Sequence, residues 1–386
     1  MKATEWINAQ RAELTQRVVA WSNINSGSRN VPGLQAAAKA IYADFQATEP
    51  EFSELLRPNQ TDRGPIAIFR KRTRAAQPLL FFGHLDTVYG LEHPLQQAAL
   101  AANGQMLGPG VCDMKGGLAI LLCGLSAYER FVPDKNLGWT IIINSDEEIG
   151  SPTSSEFFES EAKKHRFGLG FEPALEDGSL ASTRKGSGTF TFKAHGRAAH
   201  SGRNPTAGRN ALVPLAQFIL ACQRLNEQRP SVFLNPAIVS GGEATNVVPD
   251  LATCQLNVRT TSREDEDWLQ REMEQLRLSL QDGDRYRIEL AGQFTAPPKM
   301  MTPEISWLVT VAQRAATQIG IDLDAKPTGG TCDGNRLAEY GLPNVDNLGA
   351  RGGAIHSENE FLIPESLVER SQLLFAMLGI LNEQLR

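Results

Sequence analysis

Three short apolar runs limit what this chain can fold into. PLLFFGHLD, GWTIIINSDEE and FGLGFEP each pass from consecutive apolar residues straight into polar or acidic ones. Runs of this length read as buried strands. Helical patterns lie between them, at Met114–Phe131 and Pro152–Lys164. Strands alternating with helices predict an α/β fold with a mixed, largely parallel sheet. In open sheets of this kind, sites form in the crevice beyond the carboxyl ends of the strands. Here those ends carry His84, Asp86, Glu147, Glu148 and Glu172.

The middle of the chain has another pattern. GSGTFTFKAHG alternates apolar and polar residues, and a helix is expected from about Thr206 to Gln228. Strands follow near Ser231–Ser240 and Val248–Thr260, then a charged amphipathic helix, SREDEDWLQREMEQLRLSL, and a last strand, RYRIELAGQ. The order β-α-β-β-α-β is that of a ferredoxin-like unit. The reading is therefore an α+β domain at residues 184–294, inserted into a discontinuous α/β domain of residues 1–183 and 295–386. Helices are expected again at Pro303–Ile319 and from about Pro364.

A chain of 386 residues supports two such domains without disulfide or metal staples. The formal charge of −6 leaves no basic surplus for a nucleic-acid backbone. The five cysteines are scattered and show no CxxC spacing, which argues against a disulfide framework and a cysteine zinc cluster. The first residues have a helical period and lack the apolar stretch of a secretory signal. The apolar runs noted above fall well short of a membrane span. A cytoplasmic protein that binds neither nucleic acid nor membrane is the expectation.

The chemistry-bearing residues gain weight in combination. His84 alone reads equally well as a buried structural histidine, but Asp86 two residues on can accept its second N–H and fix a metal-binding tautomer. Asp113 stands among glycines in GPGVCDMKGG, as a turn residue or beside a metal pocket. That string lacks both the spacing of a dinucleotide fingerprint and the Gly-Lys-Ser/Thr end of a P-loop. Glu147 and Glu148 repel each other unless a cation lies between them. Glu172 adds a third strand-end carboxylate, and His356 adds an imidazole from the glycine-rich GGAIHSENE. Imidazole and carboxylate donors suit zinc, with manganese or cobalt as substitutes, and more than four of them suggest two metals.

GHLDTV, GPGVCDMKGG, SDEEIGS, FEP, GRAAHSGRNPTAGRNA, TNVVP, LNVRT, GGTCDGN and GAIHSENE occur in an order that resembles the M20 family of co-catalytic zinc peptidases and deacylases. The resemblance is closest to its glutamate carboxypeptidase (carboxypeptidase G2-like) branch and runs from about His84 to the C-terminal helix. It implies two zinc ions per subunit, one held by His84 and Glu172, the other by Glu148 and His356, with Asp113 bridging them. It further implies that Asp86 orients His84 and that Glu147 is the general base. His200 would reach a partner subunit's active site in a homodimer formed through the inserted domain. Asn246, Arg259 and Gly330, in the Gly329–Thr331 loop, would contact substrate. The resemblance gives His93, His165 and His195 no role. Cys332 stands where serine is more usual and would place an oxidisable thiol near the pocket. Arg336 and Arg351 would bear on substrate choice.

The implied reaction is hydrolysis of an amide or peptide bond next to a free carboxylate, on a small peptide or an N-acyl amino acid. An N-acyl amino acid or acetylornithine-type deacylase would use the same residues. A non-catalytic zinc-stabilised binding protein of the same fold is the alternative from another class. A serine hydrolase lacks support, because there is no GxSxG elbow.

Overall fold

The structure, a computed structural model, describes residues 1–57, 62–283 and 285–385. The chain divides into two compact units. One comprises Met1–Thr183, Met301–Thr328 and Cys332–Arg386, the other Arg184–Met300 with Gly329–Thr331.

The first unit is built on a six-stranded sheet. Its order is Phe52–Leu56, Ile66–Lys71, Trp139–Asn144, Leu79–His84, Phe167–Gly170 and Asn344–Val345. The last four strands run parallel to one another, and the first two are antiparallel additions at one edge. The three runs singled out above are neighbours here, and all their strand residues are buried. They lack polar alternation because both faces of the sheet are covered. Leu80 and Phe82 pack with Ile68, Ile142 and Phe158 on one face. Leu79 and Phe81 join the larger core on the other, with the helices Gly117–Phe131 and Glu365–Gln384. Phe82 lies opposite Gly170, where a Cβ would come within 2.5 Å of its ring, so glycine makes room for the aromatic.

Helices start later than their periodicity predicts. The first begins at Gly117, because Asp113 and Met114 have non-helical dihedrals in the preceding loop. The second spans Ser155–Ala162, and the Thr206–Gln228 prediction becomes a short turn followed by Leu212–Gln228. By length and hydropathy Val111–Phe131 could cross a membrane, but 94% of that window is buried in the core. A small antiparallel sheet was not expected. It joins Ala99–Leu100, Met106–Leu107, Phe361–Leu362 and Gly352–Gly353, segments far apart in sequence.

The second unit has four antiparallel strands in the order Phe233–Gly241, Leu251–Thr260, Gly186–His195 and Arg287–Ala296. That order, with one helix after the first strand and another after the third, is ferredoxin-like. Phe190, Phe192, Cys254, Leu256 and Val258 form its core with the helices Leu212–Gln228 and Arg263–Leu280. Ser262 caps the second helix by accepting from the Asp265 N–H at 3.1 Å, and Glu264, Asp265 and Glu266 fill its first turn. Negative charge at a helix start favours the macrodipole.

Candidate metal centre

Three neighbouring parallel strands of the first unit end at one place. His84 is the last residue of its strand. Glu172 follows the Phe167–Gly170 strand on one side, and Glu147 and Glu148 form a short 3-10 turn after Trp139–Asn144 on the other. Two loops complete the set. Asp113 comes from the segment before the Gly117–Phe131 helix, and His356 from a late loop where its own backbone is left-handed at φ 61°. Such a conformation costs a non-glycine residue about 1–2 kcal/mol.

The donor atoms fall into two groups, His84 with Asp113 and Glu172, and Asp113 with Glu148 and His356. Within each group they lie within 4.8 Å of one another. Asp113 belongs to both and divides its oxygens between them. Oδ1 lies 3.2 Å from His84 Nε2, and Oδ2 lies 3.3 Å from His356 Nε2. Glu148 Oε2 is 3.2 Å from the same His356 nitrogen, and Glu172 Oε1 is 3.9 Å from His84 Nε2. Two predicted strand-end carboxylates, Glu148 and Glu172, and both predicted histidines thus converge with Asp113.

Asp86 is fully buried and serves more partners than expected. The nearest acceptor to His84 Nδ1 is the Asp86 carbonyl at 3.0 Å, with the carboxylate at 3.4 Å. The carboxylate accepts from the backbone N–H groups of Glu147 and Glu148, each at 3.2 Å, and from the Ser28 hydroxyl at 2.8 Å. One side chain therefore holds the acidic turn and faces the first histidine.

Burial disfavours a charged ring at His84, but Asp113, then Asp86 and Glu172, outweigh it and raise the pKa well above 6.5. Hydrogen bonds to Asp113 and Glu148 raise His356 to about 10. Burial would raise Asp113, yet the two imidazoles hold it below the ordinary carboxylate range. Glu147 is raised well above that range by burial and then by Glu172. Glu148 is also raised, chiefly by burial, with His356 opposing. The surrounding carboxylates favour positive charge at both imidazoles. Nitrogen and oxygen donors in two compact groups around a shared carboxylate fit divalent cations such as zinc.

Three further residues stand inside the motifs already quoted, but their roles were not read from sequence. Lys115, beside Asp113, is buried and donates to the Ser26 hydroxyl at 2.9 Å; burial lowers its pKa to about 8 against the pull of Glu360 and Asp86. Asp333 accepts from Asn144, the residue ending the Glu147 strand, at 2.8 Å, and from the Ser151 hydroxyl. Burial raises it to about 6. Glu360 accepts from backbone N–H groups of the Asp113 loop. Motif spacing alone does not show such contacts, because their partners lie up to 250 residues away.

The expectation for Cys332 is revised. Cys332 is buried and caps the Asp333–Glu339 helix, so its thiol does not stand open beside a pocket. Arg336 donates to the Gly150 carbonyl at the end of the acidic turn, and Arg351 pairs with Glu369 at 3.5 Å. Of the histidines given no role, His165 bonds to the Glu161 carbonyl and the Thr140 hydroxyl. His93 packs edge-on against Tyr89, and His195 lies 3.3 Å from Glu289.

In the second unit the remaining predicted residues separate to opposite ends of the sheet. His200 is exposed and bridges to Val247, while Ser201 N–H donates to the Asn246 carbonyl at 2.9 Å. His200 Nδ1 accepts from the N–H groups of Gly202 and Arg203, which leaves its ring proton on Nε2. Both segments adjoin the end where Leu251 pairs with His195. Arg259 sits at the other end, opposite Ser187, with its Nε bonded to Asn257. The Gly330 carbonyl accepts from Arg184, just before that same end. Eight residues of strand separate Leu251 from Arg259, roughly 25 Å.

Residues 80–379 match the family described as peptidase family M20/M25/M40. The chain is 27% identical to carboxypeptidase G2 of a Pseudomonas species, over 92% of this chain and 86% of that protein. It is also 27% identical to a succinyl-diaminopimelate desuccinylase of Nitrosococcus oceani, over 96% of this chain and 98% of the other. A solved tripeptidase from Staphylococcus aureus superposes with a TM-score of 0.84 at 21% identity, covering 97% and 99% of the two chains, and shows the same fold. With a family match across most of its length and the donor cluster at its strand ends, this chain belongs to the M20 family of metallopeptidases and amidohydrolases.

Proposed function

We propose that the protein hydrolyses an amide bond next to a free carboxylate, in the manner of a carboxypeptidase, with two divalent cations, zinc first. His84, Asp113 and Glu172 would hold one cation, and Asp113, Glu148 and His356 the other. The observation carrying this reading is the division of the Asp113 oxygens between two histidines. Bound cations would polarise the amide carbonyl and lower the pKa of water.

The chain's own residues supply the rest. Glu147 lies outside both donor groups yet shares its turn with Glu148, so its carboxylate is free to take a proton from water and return it to the leaving nitrogen. Asp86 fixes that turn through two backbone N–H groups. Arg259 is a planar donor suited to a substrate carboxylate, and Asn257 restrains it. The similarity to a desuccinylase favours a second reading, an N-acyl amino acid deacylase acting through the same residues.

We further propose that the protein acts as a cytoplasmic homodimer with a composite site. Among the described residues, His200 and Arg259 stand too far apart in one copy of the second unit to touch one small substrate. His200 Nε2–H from a partner copy would instead donate to the developing oxyanion. The edge strand Phe233–Gly241 exposes Phe233, Ile238 and Val239, an apolar surface suited to a second copy. Five free, buried cysteines suit a reducing compartment.

Purified, zinc-loaded protein tested on dipeptides and N-acyl amino acids will show which bond it cleaves. Glu147→Gln is expected to bind metal normally and lose about 10²–10⁴-fold in kcat. Glu148→Gln should instead weaken metal binding. Near-normal turnover by metal-loaded Glu147→Gln would refute the general-base assignment.

The raised histidine pKa values give a signed expectation. His356 stabilises the metal-free fold fully below about pH 6.5, and this contribution is lost as pH rises through about 10. Cations compete with those protons, so apparent metal affinity should rise with pH across that window. At pH 7, zinc binding should displace the proton of His356, and proton release is measured by calorimetry in buffers of differing ionisation enthalpy. Binding without proton release would contradict the raised pKa of His356.

The composite site is tested by mixing. Inactive Glu147→Gln and inactive His200→Ala proteins, allowed to exchange subunits, should recover part of the wild-type activity. No recovery in confirmed mixed dimers, or a fully active monomer, would rule out the trans contribution.

A further inference from the structure

Glu360 is fully buried, and its side chain closes a gap between two loops. Oε1 accepts from the N–H groups of Cys112 and Asp113 at 2.9 and 3.0 Å, and Oε2 accepts from Gly110 N–H at 3.0 Å. Three N–H groups converging on one carboxylate form an anion-binding concavity, here filled by the chain itself. Gly110 has a left-handed φ of 68°, and a Cβ there would come 2.8 Å from Lys115 Nζ, so this loop depends on its glycine. The backbone of Glu360 adds two bonds. Its carbonyl accepts from Gly108 N–H at 3.2 Å, and its N–H donates to the Ser357 carbonyl at 3.3 Å. Tyr89 donates to that same Ser357 carbonyl at 3.0 Å. The next residues, Phe361 and Leu362, pair with Leu107 and Met106.

The consequence is unequal for the two donor groups. His84 and Glu172 are carried by the ends of central strands. Asp113 and His356 are both loop residues, and His356 is in a strained backbone conformation four positions before Glu360. In the Asp113, Glu148 and His356 group, Asp113 is therefore held by this carboxylate through its own N–H, and His356 belongs to the same chain segment as Glu360. In the other group only Asp113 is so placed.

We propose that Glu360 is a positioning residue that fixes Asp113 and His356 relative to each other and so creates the second of the two cation sites. It touches neither cation nor substrate. The proposal rests on the two-cation reading above, and its test separates the two claims.

Metal-stripped wild type and Glu360→Gln are titrated with Co²⁺ and followed by calorimetry and visible absorption. Glutamine keeps the shape but turns one acceptor into a donor facing an N–H group. Wild type should bind two ions. The variant should bind the first within a few-fold of wild type and the second about 10–100-fold more weakly. Glu161→Gln, which removes a buried carboxylate paired with Arg70, should keep both affinities and shows what a general loss of stability does. Equal weakening of both ions, or none, in Glu360→Gln overturns the proposal. A wild type that binds fewer than two ions overturns the two-cation reading, and with it the claim for the second site. Should Glu360→Gln fail to fold, amide exchange on metal-free wild type decides. The N–H groups of Gly110, Cys112 and Asp113 should be protected before any metal is added, and exchange at the rate of an open loop would refute the clamp.

Discussion

The structure depends on one carboxylate with two obligations. Asp113 turns one oxygen to His84 and the other to His356. Neither group of donors is complete without it. Its position is set from outside by Glu360, which holds the loop backbone, and from beneath by the strand that ends in His84. A cluster with this many buried carboxylates is unstable in isolation, because each raises the cost of ionising the next. Positive charge among the carboxylates relieves that repulsion, and divalent cations would supply it.

The sheet explains why the cluster lies where it does. Its central strands are apolar on both faces, because helices and loops cover both. Polar side chains can leave such strands only at the ends. Three adjacent parallel strands therefore deliver His84, Glu172 and the Glu147–Glu148 turn to one edge of the sheet. The rigid core surrounding them tolerates a strained, strongly charged rim.

Much of this was legible in the sequence. The apolar runs predicted the central strands, and several of the residues just past them are side chains that the structure brings together. The alternation in the middle of the chain predicted the ferredoxin-like unit. What remained hidden depended on distant pairing. Glu360 stands four residues after His356, yet its partners are Gly110, Cys112 and Asp113. Asp333 braces a turn nearly 190 positions earlier. The small sheet joining Met106–Leu107 to Phe361–Leu362 has no local periodicity to announce it. Helix starts were misplaced where a loop with non-helical dihedrals carries Asp113. The opposed placement of His200 and Arg259 follows from strand register, which composition and spacing do not contain.

The central claim is that one carboxylate serves two cations. Crystals of the zinc-loaded protein, measured on both sides of the zinc absorption edge, test it most directly. The account predicts two anomalous peaks per chain, one beside each oxygen of Asp113, with His84 and Glu172 at the first and Glu148 and His356 at the second. A single peak at full zinc occupancy, or two peaks of which only one contacts Asp113, would contradict it.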